Sequence, residues 1–278
     1  MLAVRTLRKD TNIVPTLWAE GTDGKLIFPI GPDQVMPKNT YFFLGILRGS
    51  GAMYKRCQAL EYDFFYADHA YLFNDKYPKT SCYRITKNHH VNFNVFECKS
   101  DRYEMFKSKP ILPWKNNGGK ILILPPDYYM SLFTNSFDWL EKTVNTIKKY
   151  TDRKIIIRER PVPKEFYDQL PIKPKHIDGV EYSSNDLQND LENAWSVVAF
   201  NSVISVESLR MGIPVFTNST FCPAYNLSSH DLSSIEKPFY PENREELFMS
   251  LAYSQFTLDE IKNGYAHRTL IEQQNKIK

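Results

Sequence analysis

The chain has 278 residues, of which 42% are hydrophobic and 14% aromatic, and its net charge is +3. That length supports a large core and two domains. The composition excludes a disordered chain, and the absence of any run near 20 apolar residues excludes a helical membrane span. Charge is unevenly placed. Residues 1–115 hold 17 Lys and Arg against 11 Asp and Glu, a balance of +6, and the remainder stands at −3. A basic first half suits a polyanionic or acidic partner, or an ordinary solvated surface. The cysteines at 57, 82, 98 and 222 lack zinc or redox spacing, and MLAVRTLRKD lacks the apolar segment of a signal peptide. Reduced thiols and a cytoplasmic location follow as expectations.

In chain order, residues 1–40 are rich in turn formers and read as strands and loops around Leu17-Trp18 and Leu26-Ile27-Phe28. Tyr41–Leu47 predicts a buried strand, broken by Arg48-Gly49-Ser50-Gly51, and Ala52–Leu60 a helix. Asp63–Ala67 and Ser81–Thr86 predict two further strands, ending at Asp68-His69 and at Lys87-Asn88-His89-His90. Three strands ending in polar clusters suit an open α/β sheet. Residues 107–119 (KSKPILPWKNNGG) read as a linker.

The pattern then restarts. Lys120–Leu124 predicts a strand, Phe137–Tyr150 a helix capped by Ser136, and Lys154–Ile157 a strand leading into Arg158-Glu159-Arg160. Ser183 with Asp186 resembles a capping box. Trp195–Phe216 (WSVVAFNSVISVESLRMGIPVF) reads as strand, helix and strand. Asn201 and Ser202 start the helix over Val203–Met211, Gly212 ends it in a left-handed cap, and Ile213–Phe216 is the second strand. Ligands of such units bind where the strands end, and the free amides of the helix start would favour an anion there. Glu242–Ala252 and Thr257–Gln274 predict the last helices.

The stretch NSVISVESLRMGIPV resembles the carboxyl-terminal domain of GT-B-fold glycosyltransferases, which take a nucleotide-activated sugar. KIIIRERP is similar to the strand ending in basic residues of many members. FLGILRGSG, FFYADHAY and CYRITKN look like the acceptor half of phage-type, DNA-modifying members. The chain lacks the long Gly-rich amino-terminal loop of better-known members. The resemblance implies two Rossmann-like α/β halves with a helical tail: residues 1–115 for the acceptor and 116–278 for the donor. It implies transfer from a nucleotide sugar, a UDP-sugar in first place, to a hydroxyl. The acceptor expected is a hydroxymethylated base of bacteriophage DNA, because the acceptor half is the basic half.

Each candidate residue carries a functional and a plain reading. Asn201 and Ser202 suit the donor phosphates, or capping alone. Glu207 falls where the resemblance puts a ribose-binding carboxylate, or pairs with Arg210 at i,i+3. Arg158 and Arg160 alternate onto one side and would clamp a diphosphate, or face solvent. Asp68 and His69 are the catalytic candidates, a base for the acceptor hydroxyl, or a cap and a satisfied histidine. Arg48, Ser50, Arg84, Lys87, Asn88 and His89 form the acceptor-side set, or turns and loops. His230 and Asp231 reach sugar hydroxyls, or are loop polarity. Adjacent His89 and His90 would point apart on a strand, so no metal site is expected. The rivals are a transferase of surface polysaccharide, a nucleotide-sugar epimerase and a non-catalytic nucleic-acid-binding module.

Overall fold

The computed structural model describes residues 1–6, 12–47, 49–92, 97–107, 109–160, 170 and 176–277. The chain divides into two compact units, residues 1–109 with 245–278, and residues 110–244.

In the first unit, β1 (Leu2–Val4), β2 (Lys25–Ile27), β3 (Tyr41–Leu44) and β4 (Phe64–His69) are parallel, and β5 (Cys82–Lys87) lies antiparallel to β4. With β11 (Gln255–Thr257) the order is β11-β5-β4-β3-β1-β2. Aromatic residues alternate across the pleat. On one face Trp18 stacks on Phe42 at 4.5 Å and tilts against Phe65 at 4.9 Å. On the other, Tyr54 packs on Phe64 at 4.6 Å and edge-on to Tyr66 at 5.7 Å. Trp18 belongs to helix α1 (Ile13–Gly21), where the sequence suggested a strand. The fully buried indole overrides the weak local signal. Helix α2 (Ser50–Ala59) follows β3.

The second sheet is wholly parallel. It comprises β6 (Lys120–Leu124), β7 (Lys154–Ile157), β8 (Glu181–Tyr182), β9 (Ala194–Ala199) and β10 (Val215–Phe216), in the order β10-β9-β6-β7-β8. Its strands read as continuous apolar runs because both faces are covered. Among the described residues the intervening helices are α4 (Tyr128–Thr134), α5 (Trp139–Ile147), α6 (Leu187–Glu192) and α7 (Ile204–Arg210); α3 (Asp101–Phe106) belongs to the first unit. Asp186 is itself the cap of α6, accepting from the Asn189 amide, and Asp138 rather than Ser136 occupies the N-cap position of α5.

The carboxyl-terminal segment departs from the expected division at residue 115. After α8 (Arg244–Ala252), β11 pairs with β5, so residues 245–278 complete the first unit. Buried Arg102 of α3 holds this segment. It pairs with Glu260 at 2.6 Å and donates to the Gln255 carbonyl at 2.5 Å. The last helix is two, α9 (Leu258–Lys262) and α10 (Tyr265–Ile277). Gly264 at φ +75° breaks them, with the Gly21 carbonyl too close for any side chain there.

Candidate active site

Each sheet changes direction at one point, and such points are where ligands of open α/β sheets bind. In the 110–244 unit the chain runs outward from β6 through β7 to β8, then returns to place β9 on the other side of β6. The crevice lies past Leu124 and Ala199, which are register partners. Pro125-Pro126 stops β6, and Asp127 caps α4 by accepting from the Met130 amide at 2.8 Å. Its other oxygen meets Arg160 Nη1 at 3.2 Å, while the Arg160 side chain stays 75% exposed. Asn201 and Ser202 lie across from it, after β9. The Asn201 side chain takes no partner among the described residues.

The start of α7 differs from expectation. The Ser205 amide donates to the Ser202 carbonyl at 3.1 Å, and the Val206 amide to the Val203 carbonyl at 3.0 Å. The Ile204 amide donates to Ser202 Oγ at 3.3 Å. A tight first turn therefore consumes donors that were expected to stay open to an anion. Gly212 does end the helix, at φ +76°.

Arg158 and Arg160 diverge. Arg158 Nη1 pairs with Asp190 at 2.7 Å and donates to the Asn185 carbonyl at 2.8 Å. The Asp190 side chain is almost wholly buried and also accepts from Ser183 Oγ at 2.6 Å. Arg158 thus braces α6 against the sheet, and only Arg160 of the expected clamp turns toward Asp127. Glu207 spends both oxygens on Arg210, at 2.8 and 2.6 Å, and Arg210 also donates to the Pro110 carbonyl. The pairing with Arg210 at i,i+3 is the arrangement present.

In the first unit a polar cluster sits at the end of β4. Asp68 and Arg84 are register partners on β4 and β5. Asp68 Oδ2 accepts from Arg84 Nη2 at 3.2 Å and from the Tyr66 hydroxyl at 2.9 Å, and Oδ1 from the His69 amide at 2.7 Å. The Tyr66 hydroxyl lies 3.1 Å from His90 Nε2, and the two rings stack at 4.6 Å. Burial pushes the Asp68 carboxyl up, but Arg84, His90 and the His69 amide together bring it down to about 2. Burial, then the Arg84 cation, holds His90 down at about 3, so its ring is neutral near pH 7. Burial and the Asp68 charge raise Tyr66 well above the ordinary phenol range. Asp68 is thus a fixed anion, and its depressed proton affinity is the opposite of what a base working near neutrality needs.

The acceptor-side set does not converge on Asp68. Because β5 is antiparallel, Lys87 pairs with Phe65 near the start of β4. That places Lys87, Asn88 and His89 roughly 10 Å along the strand from Asp68. Lys87 meets Asp63 at 3.2 Å. Asn88, at φ +61°, accepts from the Phe64 amide and donates to Asp63, closing the turn. His89 lies in the same turn, exposed, with partial desolvation lowering its pKa. Among the described members of that set, Arg84 alone reaches Asp68. Buried Ser50 ties down the loop before α2, its Oγ 2.5 Å from the Gly45 and 2.7 Å from the Leu47 carbonyl. Arg48 lies outside the described residues. His69 is exposed beside Tyr83. Sequence reading did not single out Tyr66 or Asp127. An i,i+2 spacing from Asp68 and a cap after Pro-Pro were the available signals.

Among the described residues, no group of three or more His, Cys, Asp or Glu is placed to hold a metal ion, and no helix is long and apolar enough to cross a membrane. No protein-family model matches the sequence, and no curated protein does. Among the solved structures that share the fold are two of KpsC from Thermosulfurimonas dismutans. The one titled a beta Kdo 2,4 transferase is 11% identical, with 89% of each chain covered and a TM-score of 0.51. The one titled a beta Kdo 2,7 transferase is 11% identical, with 99% of each chain covered and the same score. The chain therefore has a GT-B-like α/β fold.

Proposed function

We propose that the protein is a glycosyltransferase that takes a sugar from a nucleotide donor and moves it to a hydroxyl of a carbohydrate acceptor. The observation that carries this reading is the crevice between β6 and β9. There an exposed guanidinium, Arg160, meets Asp127 after β6, and the uncommitted Asn201 side chain follows β9 beside Ser202, at the point where the strand order reverses. A cation and an amide suit a phosphate whose charge grows as the bond to the sugar breaks. A uridine nucleotide is the first donor to try.

A carbohydrate acceptor is favoured over a base of phage DNA because the neighbours of shared fold are named for Kdo transfer.

The test is a matrix of UDP-, CMP-, GDP- and dTDP-sugars against oligosaccharide acceptors and hydroxymethylcytosine DNA, read by mass spectrometry with calorimetry for donor binding. A mass gain of one sugar on an oligosaccharide is expected. Gain on DNA alone would overturn the acceptor, and neither binding nor transfer with any pair would overturn the reading.

A further inference from the structure

The loop after β10 carries a histidine that no contact described so far employs. Phe216 bridges Ser229 in parallel, the Thr217 amide donates to the Ser229 carbonyl at 2.9 Å, and the Ser229 amide donates to the Val215 carbonyl at 2.9 Å. The segment around Ser229 thus runs beside β10 as an extension of the sheet, and His230 comes level with Thr217. His230 Nδ1 lies 2.8 Å from the Thr217 carbonyl oxygen. A carbonyl oxygen can only accept, so Nδ1 carries the proton and Nε2 keeps its lone pair. The ring lies on Tyr225, centroids 4.2 Å apart and planes 29° apart, which fixes its orientation. The residue is exposed, and Nε2 has no hydrogen-bond partner among the described residues.

The position matters as much as the tautomer. Phe216 pairs with Val198 on β9, so Thr217 stands beside Ala199, two residues before Asn201. With strands about 4.8 Å apart, the His230 backbone is roughly 10 Å from the end of β9, on the edge that carries Asn201 and Ser202. A nucleotide sugar is longer than that separation. Among the other candidates, Asp68 has both oxygens engaged. Asp231 spends its two oxygens on the Ser233 amide and hydroxyl.

We propose that His230 is the general base of the transfer. The statement rests on the glycosyltransferase reading above. Nε2 takes the proton of the acceptor hydroxyl as that oxygen bonds to the anomeric carbon. The bond from that carbon to the donor phosphate breaks, and its electron pair leaves with the phosphate. The Thr217 carbonyl then stabilises the imidazolium through Nδ1–H, the role of the orienting group behind an oriented base.

The experiment uses the whole chain as wild type, His230→Ala and His230→Gln, with whichever donor and acceptor pair the matrix yields. Both variants should lose kcat by on the order of 100-fold or more. Donor affinity should hold within about twofold, and the thermal midpoint should fall by no more than about 5 °C, the loss of one carbonyl hydrogen bond and the Tyr225 contact. Added imidazole should restore the Ala variant in proportion to its concentration and leave the Gln variant, whose side chain fills the space, inactive. A His230→Ala protein within a few-fold of wild type overturns the inference and leaves the transferase reading standing. Loss of kcat without imidazole rescue, or loss of donor binding, overturns the base role. A wild type that neither binds nor transfers any nucleotide sugar overturns both.

Discussion

Asp68 and Arg84 face each other across β4 and β5 as register partners, and their side chains meet at 3.2 Å. The Arg84 side chain is 4% exposed and that of Asp68 32%. The guanidinium also lies over the Tyr71 ring at 5.1 Å. Removing the cation strands a half-buried carboxylate that still accepts from Tyr66. Arg84→Leu should cost about 2 kcal/mol, less than the loss from a fully buried pair because Asp68 is partly open to water. Denaturant midpoints at neutral pH measure it. Arg84→Lys should recover only part, because one ammonium cannot both pair with Asp68 and cover the Tyr71 ring. A Leu variant as stable as wild type would show that the pair contributes nothing net.

His90 gives the acid limb of stability. Its folded pKa of about 3 lies below the ordinary histidine value of 6.5. The unfolded chain therefore binds more protons than the fold between those values, and stability falls as pH drops from about 6.5 toward 3. Asp68, held at about 2 by Arg84 and its hydrogen bonds against the opposing effect of burial, acts in the same direction lower down. Its contribution is present above the ordinary carboxylate value near 3.8 and is lost as pH falls through about 2. His90→Gln keeps a donor for the Tyr66 hydroxyl oxygen, whose own proton goes to Asp68, but cannot be protonated. Its thermal midpoint should fall less than that of wild type between pH 6.5 and 4. Parallel curves for the two proteins would assign the acid sensitivity elsewhere.

The strands were legible because their signal is local. Lys120–Leu124 and Lys154–Ile157 were expected at the bounds observed, since parallel strands buried on both faces read as short unbroken apolar runs. Gly212 and the strand–helix–strand around it were legible for the same reason. What escaped depends on partners distant in sequence. Nothing in Ser81–Thr86 says that β5 runs antiparallel, yet that sense decides that Lys87, Asn88 and His89 stand away from Asp68. Nothing local says that β11 pairs with β5, which brings the tail into the first unit. The engagement of Arg158 by Asp190, 32 residues on, was equally out of reach. The Glu207–Arg210 pair was open to view as an i,i+3 alternative.

The two arginines after β7 should separate by assay. Arg160→Ala removes an exposed cation whose partner, Asp127, keeps its capping bond. Stability should change by less than about 0.5 kcal/mol, whereas donor affinity should fall on the order of tenfold if the guanidinium meets a phosphate. Arg158→Ala leaves Asp190 buried with only neutral partners. That should cost about 3 kcal/mol without changing donor affinity in the folded fraction. Denaturant titration beside calorimetry reads both. Equal effects of the two substitutions on donor binding would restore the paired clamp.

Glu207 makes a similar contrast within one helix. Its carboxylate holds Arg210, whose side chain is 8% exposed. Glu207→Ala should lower stability by about 1–2 kcal/mol by releasing a buried guanidinium, and nucleotide binding should persist. Arg210→Ala frees the carboxylate and also gives up the bond to the Pro110 carbonyl. A Glu207 variant that folds at wild-type stability but binds no donor would return the carboxylate to a ribose.

Gly212 is where the fold of the second unit is most exposed to a single methyl group. It sits at φ +76°, and a Cβ built there would stand 1.9 Å from the Pro113 carbonyl oxygen. The close approach has a cause. Residues 112–115 run along the end of α7, the Leu112 amide donating to the Arg210 carbonyl at 2.8 Å and the Lys115 amide to the Gly212 carbonyl at 2.7 Å. The segment read as a linker is thus fastened to the helix end by two backbone bonds. Gly212→Ala pays twice, once for the left-handed backbone, about 1 kcal/mol, and again for displacing the Pro113 peptide. A loss of about 3 kcal/mol or more is expected, seen as a lowered denaturant midpoint and faster proteolysis after residue 109. Gly45, also left-handed at φ +66° but with nothing within 4 Å of an added Cβ, is the control. Gly45→Ala should cost only the backbone share, about 1 kcal/mol. Equal losses at the two positions would mean that strain alone, and not the Pro113 contact, sets the demand for glycine at 212.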